Sequence, residues 1–489
     1  MTEAFLMAGI TAAGFLLVLP LPKLPLAVRA ALAFPVGLVT LLVIGVVLVA
    51  SPASYRPVTS LIVLGAAAAA AALVTARREG QRELGRSLPW LAALTALAGL
   101  LSLGFQALDA TALTLDSIRY LLIAATLAGT GGIDVAPRNE LLTRGVVVPL
   151  MHAPAELVGR EHLASVTPLL AVGGVALLVV LARLALTQIG TPPRWRNLLI
   201  VAAVVAIIGS NRGLYHTFYV NGHLLFAVCL LILVSGYWMA ATRGSVQWLL
   251  PALPALAVLV PLRPEAGLVV APFLVAAVAH PNLPRLAKWL PAVPFAVASV
   301  GWFGLFLMPT RNTPFRLSEP EAGIVVIGVG VALVALLAAV RPRSWVVRIA
   351  PAFTVLAPVG LLITLFLGDS GARSIIRASA VATATNLIAD GGWGLTWLAL
   401  LPALVIATVV ARVPHQRLFT VPGAAFGALF LLLPNLRDAG AYRVGTGDSG
   451  NRMLMHVFLI ALLYLVIAAG WGAAHDESRS STATAPPMV

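Results

Sequence analysis

The chain is short of charge. Lys, Arg, Asp and Glu make up 10% of its 489 residues, where a soluble globular domain carries roughly 25%. An ordinary water-exposed surface cannot be built from so few. Cysteine is nearly absent. The single Cys229 lies inside an apolar run, so neither a disulfide framework nor a cysteine-ligated metal centre can form within the chain. Nucleotide-binding signatures are missing too: there is no GxxxxGK[ST] and no strand-borne GxGxxG, which argues against ATP-driven work. A basic leader is lacking as well. Met1-Thr2-Glu3 is acidic, so the first apolar run reads as a span and not as a cleaved signal peptide.

What fills the chain is apolar sequence: 60% of residues are hydrophobic and the mean hydropathy is +0.98. The runs recur at about the length needed to cross a ~30 Å hydrocarbon core. They lack the alternation of a barrel strand, and backbone in lipid must pair internally, so the expected fold is all-α and polytopic. Spans are expected near 5–20, 28–50, 58–76, 88–108, 166–186, 197–210, 218–240, 247–262, 265–280, 287–308, 322–340, 348–367, 391–411, 418–434 and 453–472. That is about 15 helices by the length criterion. The chain divides into N-terminal membrane helices (1–87), a larger membrane module (88–472) with a long loop over 105–165, and a Ser/Thr/Pro-rich tail (473–489) expected to be disordered.

The net charge of +14 is unevenly placed. One set of loops holds Lys23, Arg29, Arg77, Arg78, Arg82, Arg86, Arg183, Arg194, Arg196, Arg243, Arg285, Lys288, Arg341, Arg343, Arg348, Arg412, Arg417 and Arg479, against only Glu79, Glu83, Asp476 and Glu477. The other set is balanced, so the whole excess falls on one side. The positive-inside rule makes that side cytosolic, with the N-terminus outside and the C-terminus inside. This distribution also argues against a nucleic-acid partner. The cytosolic loops are at most about fifteen residues, too short for a nucleotide-binding domain.

Candidate chemistry therefore gathers in the outer loops. The long loop begins Asp109…Asp116-Ser-Ile-Arg119-Tyr120. Asp116-Ser117 reads as an N-cap, followed by a surface helix apolar along Ile118, Leu121, Leu122 and Ala125. Asp116 is either that cap or a carboxylate held above the membrane as a general base, and the two roles are not exclusive. Asp109 is the second carboxylate. Gly145–Ala155 reads as another interfacial or broken helix, in which His152 is structural. Ser210–His223 gathers Arg212, Tyr215, His216, Tyr219, Asn221 and His223, which suits either an aromatic interface belt or a sugar pocket. Arg263-Pro264-Glu265 would pair internally or face a cavity. Asn435–Met453 is glycine-rich and carries Arg437, Arg443, Asp448 and Arg452 just before the last span, where arginines would hold a phosphate. Arg311, Arg316, Arg373 and Arg377 lie on the same side, the last two with Asp369 and Asp390. The two histidines at 216 and 223 match no metal pattern, and no metal or other cofactor is assigned.

An outer acid on the first long loop, surface helices, many spans and a late arginine together resemble the GT-C superfamily of membrane glycosyltransferases, which use polyprenyl-phosphate sugars. Asp116-Ser-Ile-Arg-Tyr120 looks like that family's first-loop acidic motif. Asn451-Arg452 looks like its phosphate-contacting arginine, and Arg263-Pro-Glu265 is similar to short motifs at outer loop ends. The acidic loop here follows the fourth expected span, not the first. The resemblance implies an inverting transferase of the cell envelope. It implies Asp116 or Asp109 as base, Arg452, Arg443 and Arg263 toward the donor phosphate, and Arg119, Tyr120, His216, Tyr219, Asn221, His223, Glu265 and Asp448 toward substrate. The partners implied are a polyprenyl-phosphate sugar donor, a glycan, lipid or protein acceptor and membrane lipids. The alternative is a transporter or flippase of a lipid-linked or small solute, which would show pseudo-symmetry and ionisable groups near mid-span.

The charge sorting predicts a labelling pattern. In a Cys229→Ser background, Ala110→Cys should react with a membrane-impermeant maleimide in intact cells and Glu83→Cys only after permeabilisation. The reverse pattern would invert the orientation.

Overall fold

The computed structural model describes residues 2–51, 54–79, 81–131, 145–263, 266–307, 344–436 and 440–483. All regular structure there is helical, apart from one isolated parallel bridge between Ala112 and Tyr219. In chain order the helices are α1 (Glu3–Val18), α2 (Leu26–Ala50), α3 (Pro57–Glu79), α4 (Gln81–Leu108), α5 (Leu115–Thr130), α6 (Val147–His152), α7 (Val166–Gln188), α8 (Pro193–Ile208), α9 (Asn211–Phe218) and α10 (His223–Arg243). They continue with α11 (Ala252–Leu262), α12 (Ala266–Val278), α13 (Arg285–Trp289), α14 (Ala292–Leu307), α15 (Ser344–Gly368), α16 (Ser370–Thr385), α17 (Thr396–Val410), α18 (Arg417–Leu436), α19 (Ser449–Met453) and α20 (Met455–Ala483).

Seven described helices are long and apolar enough to cross a membrane, or nine if two bent pairs each count once. The bent pairs are α8 with α9, at 67°, and the end of α15 with residues 370–390, at 118°. The count of about 15 spans therefore does not follow from helix length alone. The expected spans at the N-terminus and near 247–262, 265–280 and 391–411 fall on shorter apolar helices. α1, for instance, has 16 residues, about 24 Å at the standard rise. Others carry internal proline, at Pro261, Pro272 and Pro402. The span expected at 322–340 lies outside the described residues, as do Arg311, Arg316, Glu265 and Arg437.

The loops sort into two ends. At one end Lys23 N donates to Gln247 Oε1 (2.9 Å), Arg243 Nε to Gln188 Oε1 (3.3 Å), Trp238 Nε1 to the Pro414 carbonyl (3.2 Å) and Thr191 Oγ1 to the Gly470 carbonyl (3.1 Å). These loops carry the excess of Lys and Arg. At the other end Tyr55 N donates to Gly131 O (2.7 Å), Val146 N to Pro261 O (3.0 Å) and Ala112 N to Phe218 O (2.9 Å). The charge asymmetry of the sequence is thus an asymmetry between the ends of a helical bundle. α10 is the enclosed helix at its centre, buried over its whole apolar window, and α20 is nearly as enclosed at 89%. Both begin at the end opposite the basic loops.

Three local expectations are corrected. α5 is capped by Thr114, whose Oγ1 accepts from Ser117 N, and Asp116 sits in the first turn without capping it. The face of α5 that packs inward is Ser117, Tyr120, Ile123, Ala124 and Leu127, while Leu115, Ile118 and Leu122 point out. The outward stripe keeps the apolar spacing of a surface helix, but the packed face is one that hydropathy had not selected. Gly145–Ala155 takes the broken form of the two expected: α6 passes at Ala153 into a 3-10 helix that runs to Val158, and Val147 to Ala155 are buried throughout, packed among α2, α5 and α11. His152 is buried there. Leu163 N donates to its Nδ1 at 3.3 Å, and burial pushes its pKa down to about 3. Finally, α20 runs to Ala483, over residues assigned to a disordered tail.

α1 and α2 meet backbone to backbone. A methyl group on Gly14 would overlap the Ala33 carbonyl oxygen, and one on Gly37 the Ile10 carbonyl oxygen. Glycine is required at both because no flexible atom can yield. Gly37→Ala should destabilise the bundle by about 1–3 kcal/mol, the usual cost of overpacking. Gly9→Ala, with open space around it, should be neutral or slightly stabilising, since helical glycine costs roughly 0.5–1 kcal/mol. Thermal unfolding in detergent measures both; equal losses would refute the close approach.

Candidate functional site

The site is built where three distant stretches meet at the end of the bundle away from the basic loops. The first is the entry to α5. The extended segment before it pairs with the α9–α10 connection: Ala112 N donates to Phe218 O (2.9 Å) and Val220 N to Ala112 O (3.4 Å). Ser117 Oγ adds a bond to Val220 O at 3.1 Å. These bonds fix Asp116 in register with Tyr219. The second stretch is that connection itself. The third is α19, a single turn capped by Asp448, which delivers Arg452 to the same place.

Arg452 Nη1 donates to Asp116 Oδ2 at 3.1 Å and to the Tyr219 hydroxyl at 2.6 Å. Its Nε donates to the Asp448 carbonyl at 3.3 Å. Nη2 makes no hydrogen bond among the described residues, so two N–H donors remain for an incoming anion. The pair is partly open, with side-chain exposures of 13% for Arg452 and 30% for Asp116. Asp116 and Arg452, 336 positions apart in sequence, are therefore direct partners.

A hydrogen-bonded chain runs inward from this pair. Asn221 Nδ2 donates to the Tyr219 hydroxyl (3.3 Å), so with Arg452 both lone pairs of that oxygen are taken and its own proton goes to Thr114 Oγ1 (3.1 Å). Asn221 Oδ1 accepts from Arg263 Nη2 at 3.0 Å, and the same nitrogen lies 2.9 Å from His223 Nε2. A guanidinium only donates, so His223 Nε2 must be the unprotonated acceptor. Neutral His223 then carries its proton on Nδ1 and donates it to His456 Nε2 at 2.8 Å. Arg263, Asn221, His223 and His456 are all buried. Burial of a cation is tolerated here because the guanidinium is hydrogen-bonded on arrival.

The surrounding wall is aromatic. Tyr215 and Tyr219 lie 4.8 Å apart between centroids, and Arg212 sits 4.9 Å above the Tyr215 ring while donating to the Thr446 carbonyl. His216 is buried against His223, with centroids 5.4 Å apart. The glycine-rich loop before α19 is latched by Asn451. Its side chain accepts from Trp393 Nε1 (2.7 Å) and donates to Gly391 O (2.8 Å), while its backbone N–H reaches Asp448 Oδ2 (2.9 Å).

The structure brings together Asp116, Arg452, Tyr219, Asn221, Arg263, His223 and His216. The remaining described candidates, Asp109, Arg119, Tyr120, Arg443, Asp448 and Arg373, contribute no side chain to the cluster. Asp109 is exposed, with a left-handed backbone (φ 44°) and no hydrogen bond or ion pair among the described residues. Arg119 is exposed and Tyr120 is buried on the packed face of α5. The Arg443 side chain is exposed, and its backbone N–H donates to Asp448 Oδ1 at 2.8 Å. Asp448 thus spends both oxygens on backbone N–H groups, holding the loop, and is not free for substrate. Arg373 caps the end of α15, donating to the carbonyls of Phe366 (2.6 Å) and Leu367 (2.8 Å). Glu265 lies outside the described residues. Sequence reasoning missed Thr114, His456 and Trp393. Of these only His456 had a signal, since it lies one helical turn beyond Arg452. Among the described residues no group of three or more His, Cys, Asp or Glu comes together.

Comparison with known proteins gives no matching family model, no similar curated protein and no similar solved structure. The site must be read from its own geometry.

Asn451→Ala tests the latch. It removes the side-chain partner of the Gly391 carbonyl and leaves the Trp393 indole only its longer bond to the residue 451 carbonyl (3.4 Å), at roughly 1–3 kcal/mol for a buried polar group that loses its partner. The melting temperature should fall clearly, whereas Arg443→Ala, which removes only an exposed side chain, should leave it within error. Comparable effects would remove the latch.

Proposed function

We propose that this chain is a membrane-embedded glycosyltransferase that takes a sugar from a polyprenyl-phosphate donor. The single observation that supports this most is the adjacency of a partly exposed carboxylate, Asp116, and a guanidinium with uncommitted donors, Arg452. They meet at the end of the bundle away from the basic loops. By the positive-inside rule the basic end faces the cytosol. The site then faces the cell exterior or periplasm, with the N-terminus outside and the C-terminus inside. In this reading the shorter apolar helices also cross the bilayer, for about 15 spans, some of them buried within the protein.

Outside the cytosol no pool of nucleotide-sugars is at hand, so a lipid-carried sugar suits the location. In the resting state Asp116 and Arg452 satisfy each other. A donor phosphate would take over the Arg452 donors through a bidentate contact, and Asp116 would be released to the acceptor. The acceptor hydroxyl attacks the anomeric carbon as its proton passes to the Asp116 carboxylate. The new C–O bond forms while the bond from that carbon to the phosphate oxygen breaks, and the electron pair leaves on the phosphate. The Arg452 guanidinium meets the charge that develops there. Displacement from the opposite face inverts the anomeric centre.

The test uses the full chain in nanodiscs with a panel of radiolabelled polyprenyl-phosphate sugars, following release of polyprenyl phosphate. Asp116→Asn should lower turnover by about 10²–10⁴, the usual contribution of a general base. Arg452→Gln should lower it by about 10²–10³, as removal of a charge-stabilising donor does elsewhere. Turnover unaffected by either change would end this assignment. Movement of the labelled lipid across the bilayer without sugar release would favour a transporter or flippase.

A further inference from the structure

A second feature lies at the other end of the bundle and is independent of the transferase reading. α8, α17 and α20 enclose an open cleft of about 940 Å³, within the ~300–1,000 Å³ usual for ligand sites. Its walls are apolar and largely small: Ala202, Ala206, Ala403 and Ala469 leave the space that longer side chains would fill. The polar residues lining it are Arg412 and His475, beside Trp471. Both polar residues are exposed, and Arg412 makes no hydrogen bond or ion pair among the described residues. Arg412 holds a left-handed backbone (φ 43°) as the chain leaves α17. His475 Nδ1 donates to the Trp471 carbonyl at 2.8 Å.

The cleft is therefore apolar along its length and cationic at one mouth. On α20 its lining runs from Leu462 to His475, about 20 Å by the helical rise. That is closer to one leaflet than to the full ~30 Å core. Leu462 is also about 15 Å along α20 from Arg452 by the same rise, so the cleft stops short of the candidate site. Tail-length apolar walls, one cationic mouth and the depth of a single leaflet define an amphiphile with an anionic head. We infer that this cleft binds one anionic phospholipid from the leaflet at the basic end, with its phosphate at Arg412 and an acyl chain between α8, α17 and α20. Anionic lipids are the attractive partners for basic residues at that surface.

Native mass spectrometry of the full chain, released from nanodiscs of mixed phosphatidylglycerol and phosphatidylcholine, tests this. One phosphatidylglycerol should be retained in preference to phosphatidylcholine. Arg412→Gln, on an exposed side chain that packs nothing, should cut that preference about fivefold, the weight of one basic residue at an anionic surface. Ala202→Phe with Ala403→Phe fills the cleft and should abolish retention, while the melting temperature of delipidated protein shows whether this variant folds. Equal retention of the two lipids, or a preference untouched by Arg412→Gln, overturns the proposal. So does displacement of the bound lipid by polyprenyl phosphate in a manner lost with Arg452→Gln, because the cleft would then belong to the other end's ligand.

Discussion

Everything at the candidate site hangs on the contact of Arg452 with Asp116 and Tyr219. It is the point where the entry to α5, the α9–α10 connection and the start of the last helices are held together. A charge at the margin of an apolar bundle cannot stand alone, since an unpaired ion there is expensive. The two partners answer that requirement for each other, and Tyr219 ties them to the buried chain of Asn221, Arg263, His223 and His456. The direction of every proton in that chain follows from one fact, that Arg263 can only donate. Asn221 must present its oxygen to Arg263 and its nitrogen to Tyr219. The two imidazoles must each carry the proton on Nδ1. A network with one consistent orientation is rigid in a way that a set of interchangeable bonds is not.

The sequence made the class of fold legible because hydropathy is a property of each segment alone. A run of Leu, Val and Ala reads as a membrane helix whatever packs beside it. It also made Asp116 and Arg452 legible, since both stand at the border between a polar loop and an apolar helix. What it left hidden are facts that belong to pairs of segments. The inward face of α5 is set by neighbours, and the stripe with the highest hydropathy is the one left outside. α6 sits in the interior because α2, α5 and α11 leave room for it, and no feature of residues 147–152 states that. The number of spans is not readable from hydropathy alone, because a continuous apolar run is not always a continuous helix. Prolines and tight turns divide such runs, and a helix buried in protein need not be as long as the lipid is thick.

Asp448 and Asp109 show why the carboxylate that meets Arg452 was only half readable. Both are carboxylates in polar loops close to apolar helices, as Asp116 is. Asp448 lies three residues before Asn451, so one of its oxygens is captured by the backbone of the turn that it caps and the other by the Arg443 N–H. Asp109 sits on a left-handed residue just past the end of α4, facing out. Asp116 escapes the first fate only because Thr114 takes the capping position ahead of it. Capping by a threonine two residues earlier is a local fact, and it is what leaves the carboxylate available to a partner from far along the chain.

The same arrangement lets the pair open without unmaking the site. Asp116 is held from behind by backbone bonds, from Ala112 to Phe218 and from Val220 to Ala112, and by the bond of Ser117 to Val220. None of these uses the carboxylate. Arg452 is held by the turn that Asp448 caps and by its own Nε on the Asp448 carbonyl, which leaves Nη1 and Nη2 for Asp116, Tyr219 and an incoming anion. In the proposed reaction, a phosphate arriving at Nη2 would meet a guanidinium already held in place, and a bidentate contact through Nη1 as well would displace Asp116 from it. The carboxylate it displaces is the one in the more exposed position, 30% against 13%, and it loses least by turning to a hydroxyl. The observed ion pair and the separated acid and cation that the proposed reaction needs would therefore differ by side-chain rotations on a fixed backbone frame.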